Sequence, residues 1–340
     1  MTEDEIETLL DQTLFQYQLE RVTKAKADVR RFVHYTSAPA AISIIEKQEI
    51  WLRNSAAMND YSEIQHGKAC VDYVLRGDNE VRQRCEHVLS LIDGGIYERA
   101  LAFFDGTDFQ RLAHTYLLAI SEHGAPDIYP GHVEAEDDYG RLSMWRAYGC
   151  GNGVALIFNA DAMWTENDAL GVYSNPVFYG SPNEFSLVFA RVLNSIEQRI
   201  DEVKAIPLQM FEGNLHRLLH FSSISSKHPG FREEREWRIT LSADPALEPL
   251  ADADFNANSR VRREFRDING IPQRLYKLPF VDHPDEGLVG MTMPHILSQV
   301  IIGPTQYPWV VADSIVSAMQ RSGIDNAAQR VRFSGVPLRT

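Results

Sequence analysis

Residues 231–242 read Phe-Arg-Glu-Glu-Arg-Glu-Trp-Arg-Ile-Thr-Leu-Ser, and within them two carboxylates, Glu234 and Glu236, stand two apart at the head of an apolar strand pattern. On a strand, side chains two apart share a face, about 6 to 7 Å from each other. Two acids beside a core face are costly to desolvate unless something positive meets them. The positive partner is either a cation developing in a reaction or a neighbouring arginine, and Arg232, Arg235 and Arg238 lie in the same segment. The residues themselves support both a catalytic acid pair and an ion-pair cluster at a strand start.

Other chemical patterns carry less. Gly149-Cys-Gly-Asn-Gly153 resembles a glycine-rich phosphate loop, but it precedes a strand rather than a helix, so it reads as a helix stop and tight turn. His216 and His220 have the i, i+4 spacing of metal ligands, yet no third ligand accompanies them and they read as ordinary helix histidines. Neither a Walker A sequence nor a Gly-x-Ser-x-Gly elbow is present. Asn59 and Asp60 are turn or capping residues first and site residues second, and the acidic stretch Glu134–Asp138 reads as a solvated loop. Trp51, Trp145, Trp237, Tyr35 and Tyr148 are core aromatics by type; with the acids they also suit a pocket for a flat ring.

The elements that must position these groups follow from periodicity. Ile6, Leu9, Leu10, Thr13, Leu14 and Tyr17 mark an amphipathic helix over residues 3–24. Arg31–Thr36 reads as a first strand, running into a helix capped by Thr36 or Ser37 with Pro39 in its first turn. Further strands are expected at 50–53, 116–121, 153–158, 275–280, 299–303 and 331–334, with helices over 139–148 and 310–322. Residues 183–228 read as a helical insertion interrupted at Pro207. Helices and strands mix without βα alternation, which predicts an α+β fold with mainly antiparallel central sheets. The expected organisation is an N-terminal helical segment, 1–28, before a single α+β domain, 29–340.

The chain has 340 residues and a formal net charge of −14, which disfavours unaided attraction to a nucleic-acid backbone without excluding a local basic patch. Its three cysteines, Cys70, Cys85 and Cys150, form no CxxC and no even disulfide set, as in a reducing cytoplasm. An acidic start and the lack of a long apolar run predict neither a secretory signal nor a membrane span.

Four blocks resemble a widespread bacterial family filed as a domain of unknown function: Val33-His-Tyr-Thr36; Asn59-Asp60-x-x-Glu63; Met144-Trp-Arg-Ala-Tyr148 with Gly153-Val-Ala-Leu-Ile-Phe158; and Glu234-Arg-Glu-Trp-Arg238 followed by Ile301-Ile-Gly-Pro304. The likeness spans about residues 31 to 338 and carries no chemistry of its own. A more distant resemblance does. A first-strand His-x-Thr before a helix and a late Glu-x-Glu are similar to the ADP-ribosyltransferase superfamily, which implies NAD as substrate and an ADP-ribosyltransferase-like fold. Carried over, His34 and Thr36 bind NAD, with His34 at the adenosine-side ribose or its amide neighbours, and Glu236 grips the 2′-hydroxyl of the nicotinamide ribose. Glu234 then orients or deprotonates the acceptor, and Tyr148 or Trp145 stacks on nicotinamide. Tyr35 stands where many relatives have glycine, so it would crowd the nicotinamide or stack on it. Arg238, Arg53 or Arg146 would neutralise the pyrophosphate.

Cleavage of the ribose–nicotinamide bond passes through an oxocarbenium-like state, which a carboxylate at that ribose stabilises. The resemblance thus implies transfer of ADP-ribose to an unidentified macromolecular acceptor, as a toxin or phage-defence effector with a neutralising partner protein. Two other readings stand beside it: a non-catalytic nucleotide- or protein-binding module, and a metal-dependent hydrolase or nuclease.

Overall fold

The computed structural model describes residues 1–29, 31–57, 61–106, 114–124, 133–149, 151–165, 170–242, 260–268 and 270–337. Asn59, Asp60 and Cys150 lie outside them. Its strands are β1 (Arg31–Ser37), β2 (Glu49–Asn54), β3 (Thr115–His123), β4 (Gly153–Asn159), β5 (Tyr173–Pro176), β6 (Phe178–Tyr179), β7 (Ser226–Lys227), β8 (Glu236–Ser242), β9 (Arg262–Ile268), β10 (Ile271–Pro279), β11 (Leu297–Ile302) and β12 (Val331–Phe333). Its α-helices among the described residues are α1 (Glu3–Leu14), α2 (Gln16–Asp28), α3 (Ala38–Lys47), α4 (Tyr61–Arg76), α5 (Glu80–Ile92), α6 (Ile96–Gly106), α7 (Val133–Tyr139), α8 (Leu142–Tyr148), α9 (Pro182–Gln198), α10 (Ile200–Lys204), α11 (Leu208–Ile224), α12 (Met293–Ile296) and α13 (Pro308–Arg321).

The chain divides into two compact units. The first comprises Met1–Lys24, Ser55–Thr115 and Asn175–Arg232, so the N-terminal helix and the 183–228 stretch fall in one body. It is chiefly helical. α9 shows why: Ser181 caps it in a capping box with Glu184, Pro182 sits in the first turn, and Phe185, Phe189, Val192, Leu193 and Ile196 recur on one face. That face joins Leu9, Leu10, Val71, Val88, Phe211 and Leu215 in the unit's own core.

The second unit comprises Ala25–Asn54, Tyr116–Ser174 and Glu233–Thr340. Its sheet runs β12-β11-β4-β1-β3-β2-β10-β9, with β8 paired to β3 and to β5. The fold class is α+β: the sheet is mixed, with β11 and β12 parallel and the β1–β3, β1–β4, β2–β3, β2–β10, β9–β10 and β4–β11 ladders antiparallel. On one side, Val33, Tyr35, Ala155, Ile157 and Ile301 are covered by Met144 and Trp145 of α8. On the other, Phe32, Trp164 and Trp237 pack their rings edge to face or tilted, with centroids 5.2–5.7 Å apart.

Three expectations change. The first helix breaks at Phe15, where the cap amide still donates to Asp11 O. The acidic stretch expected as a loop belongs to helix α7. The helix expected over 139–148 is interrupted at Gly140, whose φ of +64° favours glycine and over which Trp145 lies too close for a Cβ, at 2.7 Å.

Candidate functional site

β3 organises the centre of the second unit because different strands claim its two ends. Ser121–His123 pair with Val33–Arg31 of β1, whereas Tyr116 and Leu117 pair with Asn54 and Arg53 of β2. Ala119 lies in the fork between these ladders, and its carbonyl accepts a hydrogen bond from His34 Nδ1 at 3.0 Å. A carbonyl can only accept, so Nδ1 carries the proton and Nε2 presents a lone pair. Nε2 makes no hydrogen bond among the described residues. The residue keeps part of its surface open, yet the ring is closely surrounded. Desolvation lowers its pKa, outweighing the Ala119 bond that acts the other way.

β8 occupies the opposite edge of β3, with Arg235 O accepting from Glu122 N at 2.9 Å. The strand begins only at Glu236. Glu234 ends a 3-10 turn over Pro229–Glu234, and Arg235 between them has a left-handed φ of +46°. The two acids therefore do not share a strand face, which corrects the geometry expected from their spacing. A turn and a left-handed residue interrupt the extended backbone that the i, i+2 argument requires.

Glu236 and Arg238 do share a face, and they meet. Arg238 Nε donates to Glu236 Oε1 at 2.7 Å, with the residues 2 % and 5 % exposed. Burying each charge alone would cost several kcal/mol, and the pairing offsets that cost. Strand alternation turns both away from Trp237, whose indole packs on Phe32 and whose Nε1 donates to Glu122 Oε1 at 2.8 Å. By the same alternation His34 shares the Phe32 side of β1. His34 and Glu236 are thus carried by strands flanking β3 but point to opposite sides of the sheet.

The remaining sequence candidates separate in the same way. Thr36 is half-buried on the His34 side. Tyr35 is buried on the Val33 side, its ring edge-on to Trp145 at 4.8 Å, and its hydroxyl accepts from Arg141 N at 2.9 Å. Burial raises the Tyr35 pKa despite the opposing Arg141 charge. Trp145 is buried and donates to Tyr139 O, whereas Tyr148 and Arg146 are exposed. Arg53 reaches Gln273 Oε1 at 3.4 Å. In the helical unit, His216 stacks on Phe103 and His220 meets Thr115 Oγ1 at 3.2 Å. Among the described residues no three His, Cys, Asp or Glu side chains are grouped to hold a metal.

Two groupings escaped the sequence reading. The first is a charged network around Arg141, which donates to the carbonyls of Glu122, Glu233 and Glu234 and pairs with Glu136 at 2.7 Å. Glu136 also accepts from Arg235. Burial would raise its carboxyl, but Arg141 and Arg235 bring it below the usual range. The network fixes the backbone just before β8, so it explains where that strand starts. Its members are scattered through the chain, and no spacing rule joins them.

The second is a cleft of about 330 Å³ in the second unit. Leu118 and Ile120 of β3, Ile239 of β8 and Phe158 of β4 form part of its lining. Among the described residues, none that lines it is charged. The alternation of β3 and β8 could have marked these residues as one face, but not as one that stays open.

No helix among the described residues is long and apolar enough to cross a membrane. No curated protein and no solved structure matches the chain. Residues 144–239, which include Met144–Tyr148, Gly153–Phe158 and Glu234–Arg238 but not the blocks around His34 or Ile301, match the model of a family described as a protein of unknown function, DUF2971.

Proposed function

We propose that the second unit binds NAD or a closely related nucleotide through His34 without cleaving it. The observation that supports this reading is the divided state of the imidazole: Nδ1–H is committed to Ala119 O, while Nε2 keeps an acceptor lone pair at a deep but open position. A ribose hydroxyl is a suitable donor to such a nitrogen. Glu236, the carboxylate that cleavage would need at the ribose, is instead held by Arg238.

An ADP-ribosyltransferase-like reaction on a macromolecular acceptor is the second reading. What favours it is strand order, since β1 and β8, bearing His34 and Glu236, flank the same strand. Glu236 would have to leave Arg238 and turn toward the ligand for the reaction to proceed.

Calorimetric titration with NAD and incubation with labelled NAD and cell lysate test both. The binding reading expects saturable heat, roughly tenfold weaker binding in His34→Ala, and no labelling. The transferase reading expects labelling that Glu236→Gln reduces about 100- to 1000-fold. Glu236→Gln keeps an acceptor for Arg238, so loss of activity would not merely reflect an unpaired guanidinium. Absence of NAD binding by the wild type would sink both.

A further inference from the structure

The uncharged cleft has a chemistry of its own. Its volume of about 330 Å³ is roughly twice the ~150 Å³ that holds a benzene and reaches the lower end of ordinary ligand pockets. Leu118, Ile120 and Ile239 alternate with residues of the other sheet face, so each strand contributes its apolar row to the lining. Phe158 and Phe280 add tilted rings with centroids 5.6 Å apart, and Met163 and Met291 add deformable thioethers suited to aromatic contact. The polar side chains of the lining are the hydroxyls of Thr165, Tyr173 and Ser174. A diphosphate or carboxylate placed here would lose water without meeting a cation among the described lining residues. Neither His34 nor Glu236 is among the residues that line the cleft, although its Phe158 shares the His34 face of the sheet.

We propose that this cleft is a binding site for an uncharged aromatic molecule of two to three rings. The recognition is by shape and apolar contact, with selection against negative charge built into the lining.

N-phenyl-1-naphthylamine and its sulfonated counterpart, 1-anilinonaphthalene-8-sulfonate, share a ring skeleton and differ by one negative charge, so fluorescence titration of the full chain with both tests the selection directly. The expected result is saturable binding of one neutral probe per chain, at least tenfold tighter than the sulfonate. Ala162→Phe, which puts a ring into the cleft from its wall, should weaken the neutral probe at least tenfold. Trp309→Ala, which alters an exposed aromatic 74 % open to solvent, should leave it unchanged. Photolabelling of the wild type with benzophenone gives a readout that no misfolded variant can confuse: peptides containing Met163 or Met291 should carry the label, and the neutral probe should compete it away. Equal affinity for the two probes, binding abolished by Trp309→Ala, label confined to peptides outside the cleft, or no saturable binding would each overturn the proposal.

Discussion

Glu236 and Arg238 neutralise each other from alternate positions on β8, and neither side chain is open to water that could replace its partner. Removing one member of such a pair takes a buried charge's partner away at full desolvation cost, so Arg238→Ala should destabilise the second unit by about 3 kcal/mol. Replacing both with apolar residues of similar volume should cost much less. Urea unfolding of the single and double variants checks this, and equal losses in the two would show that the contact contributes packing rather than charge pairing. Asp137 supplies a separate, titratable contact. Burial would raise its carboxyl, but the hydrogen bond from His123 and the Arg31 guanidinium bring it down to about 2. A depressed carboxyl contributes stability that is present above its unfolded value near 3.8 and is lost as pH falls through the folded one. With a third of the side chain open, the contribution is about 1 kcal/mol after solvent screening. Asp137→Asn should therefore flatten the stability profile between about pH 4 and pH 2 and change little of its slope near pH 6.

The covering helix α8 reaches its sheet through glycines that admit no side chain. A Cβ on Gly303 would lie 2.7 Å from Trp145 Cε3 and 2.9 Å from Gly153 O, and Gly303 N donates to that same carbonyl. Gly303→Ala should push the indole out of the Val33–Tyr35–Ile157 cluster and cost about 1 to 3 kcal/mol by overpacking. A red-shifted tryptophan emission with a lowered melting temperature would report it, and an unchanged melt would mean that the helix shifts freely. This close approach was written in the Ile301-Ile-Gly-Pro304 block, but sequence alone could not say what the glycine faced. The strands β1, β3, β4 and β11 were legible because apolar periodicity and flanking turns mark them, and Ser37 proved the cap of α3. The Glu-x-Glu pair misled because an alternation argument assumes extended backbone throughout, and Arg235 is left-handed. Among candidate site residues, His34 and Glu236 were placed on strands that flank β3, as sequence reasoning needed. Their opposite orientation depends on the register of β3 against both neighbours, which no local pattern encodes.

Among the described residues, two of the molecule's hydrophobic cores share no residue. One joins α1, α4, α5, α6, α9 and α11, and the other lies between the sheet of the second unit and α8. The chain crosses between the two bodies several times, so neither is a continuous stretch. Independent reporters happen to be distributed between them. All five tryptophans, Trp51, Trp145, Trp164, Trp237 and Trp309, belong to the second unit, while Cys70 and Cys85 are buried in the first. Burial pushes both thiols up to about 12, so neither forms appreciable thiolate in the native state near pH 8. Their alkylation, followed peptide by peptide, therefore reports opening of the helical unit, while tryptophan emission reports the sheet unit. Two cores with no shared residues give each body its own apolar burial and its own denaturant dependence, so a urea series should yield separated midpoints rather than one transition. Superimposed curves at every urea concentration would mean instead that the repeated chain crossings bind the two bodies into one cooperative block, and the energetic effects of Arg238→Ala and Gly303→Ala would then appear in the cysteine signal as strongly as in the tryptophan signal.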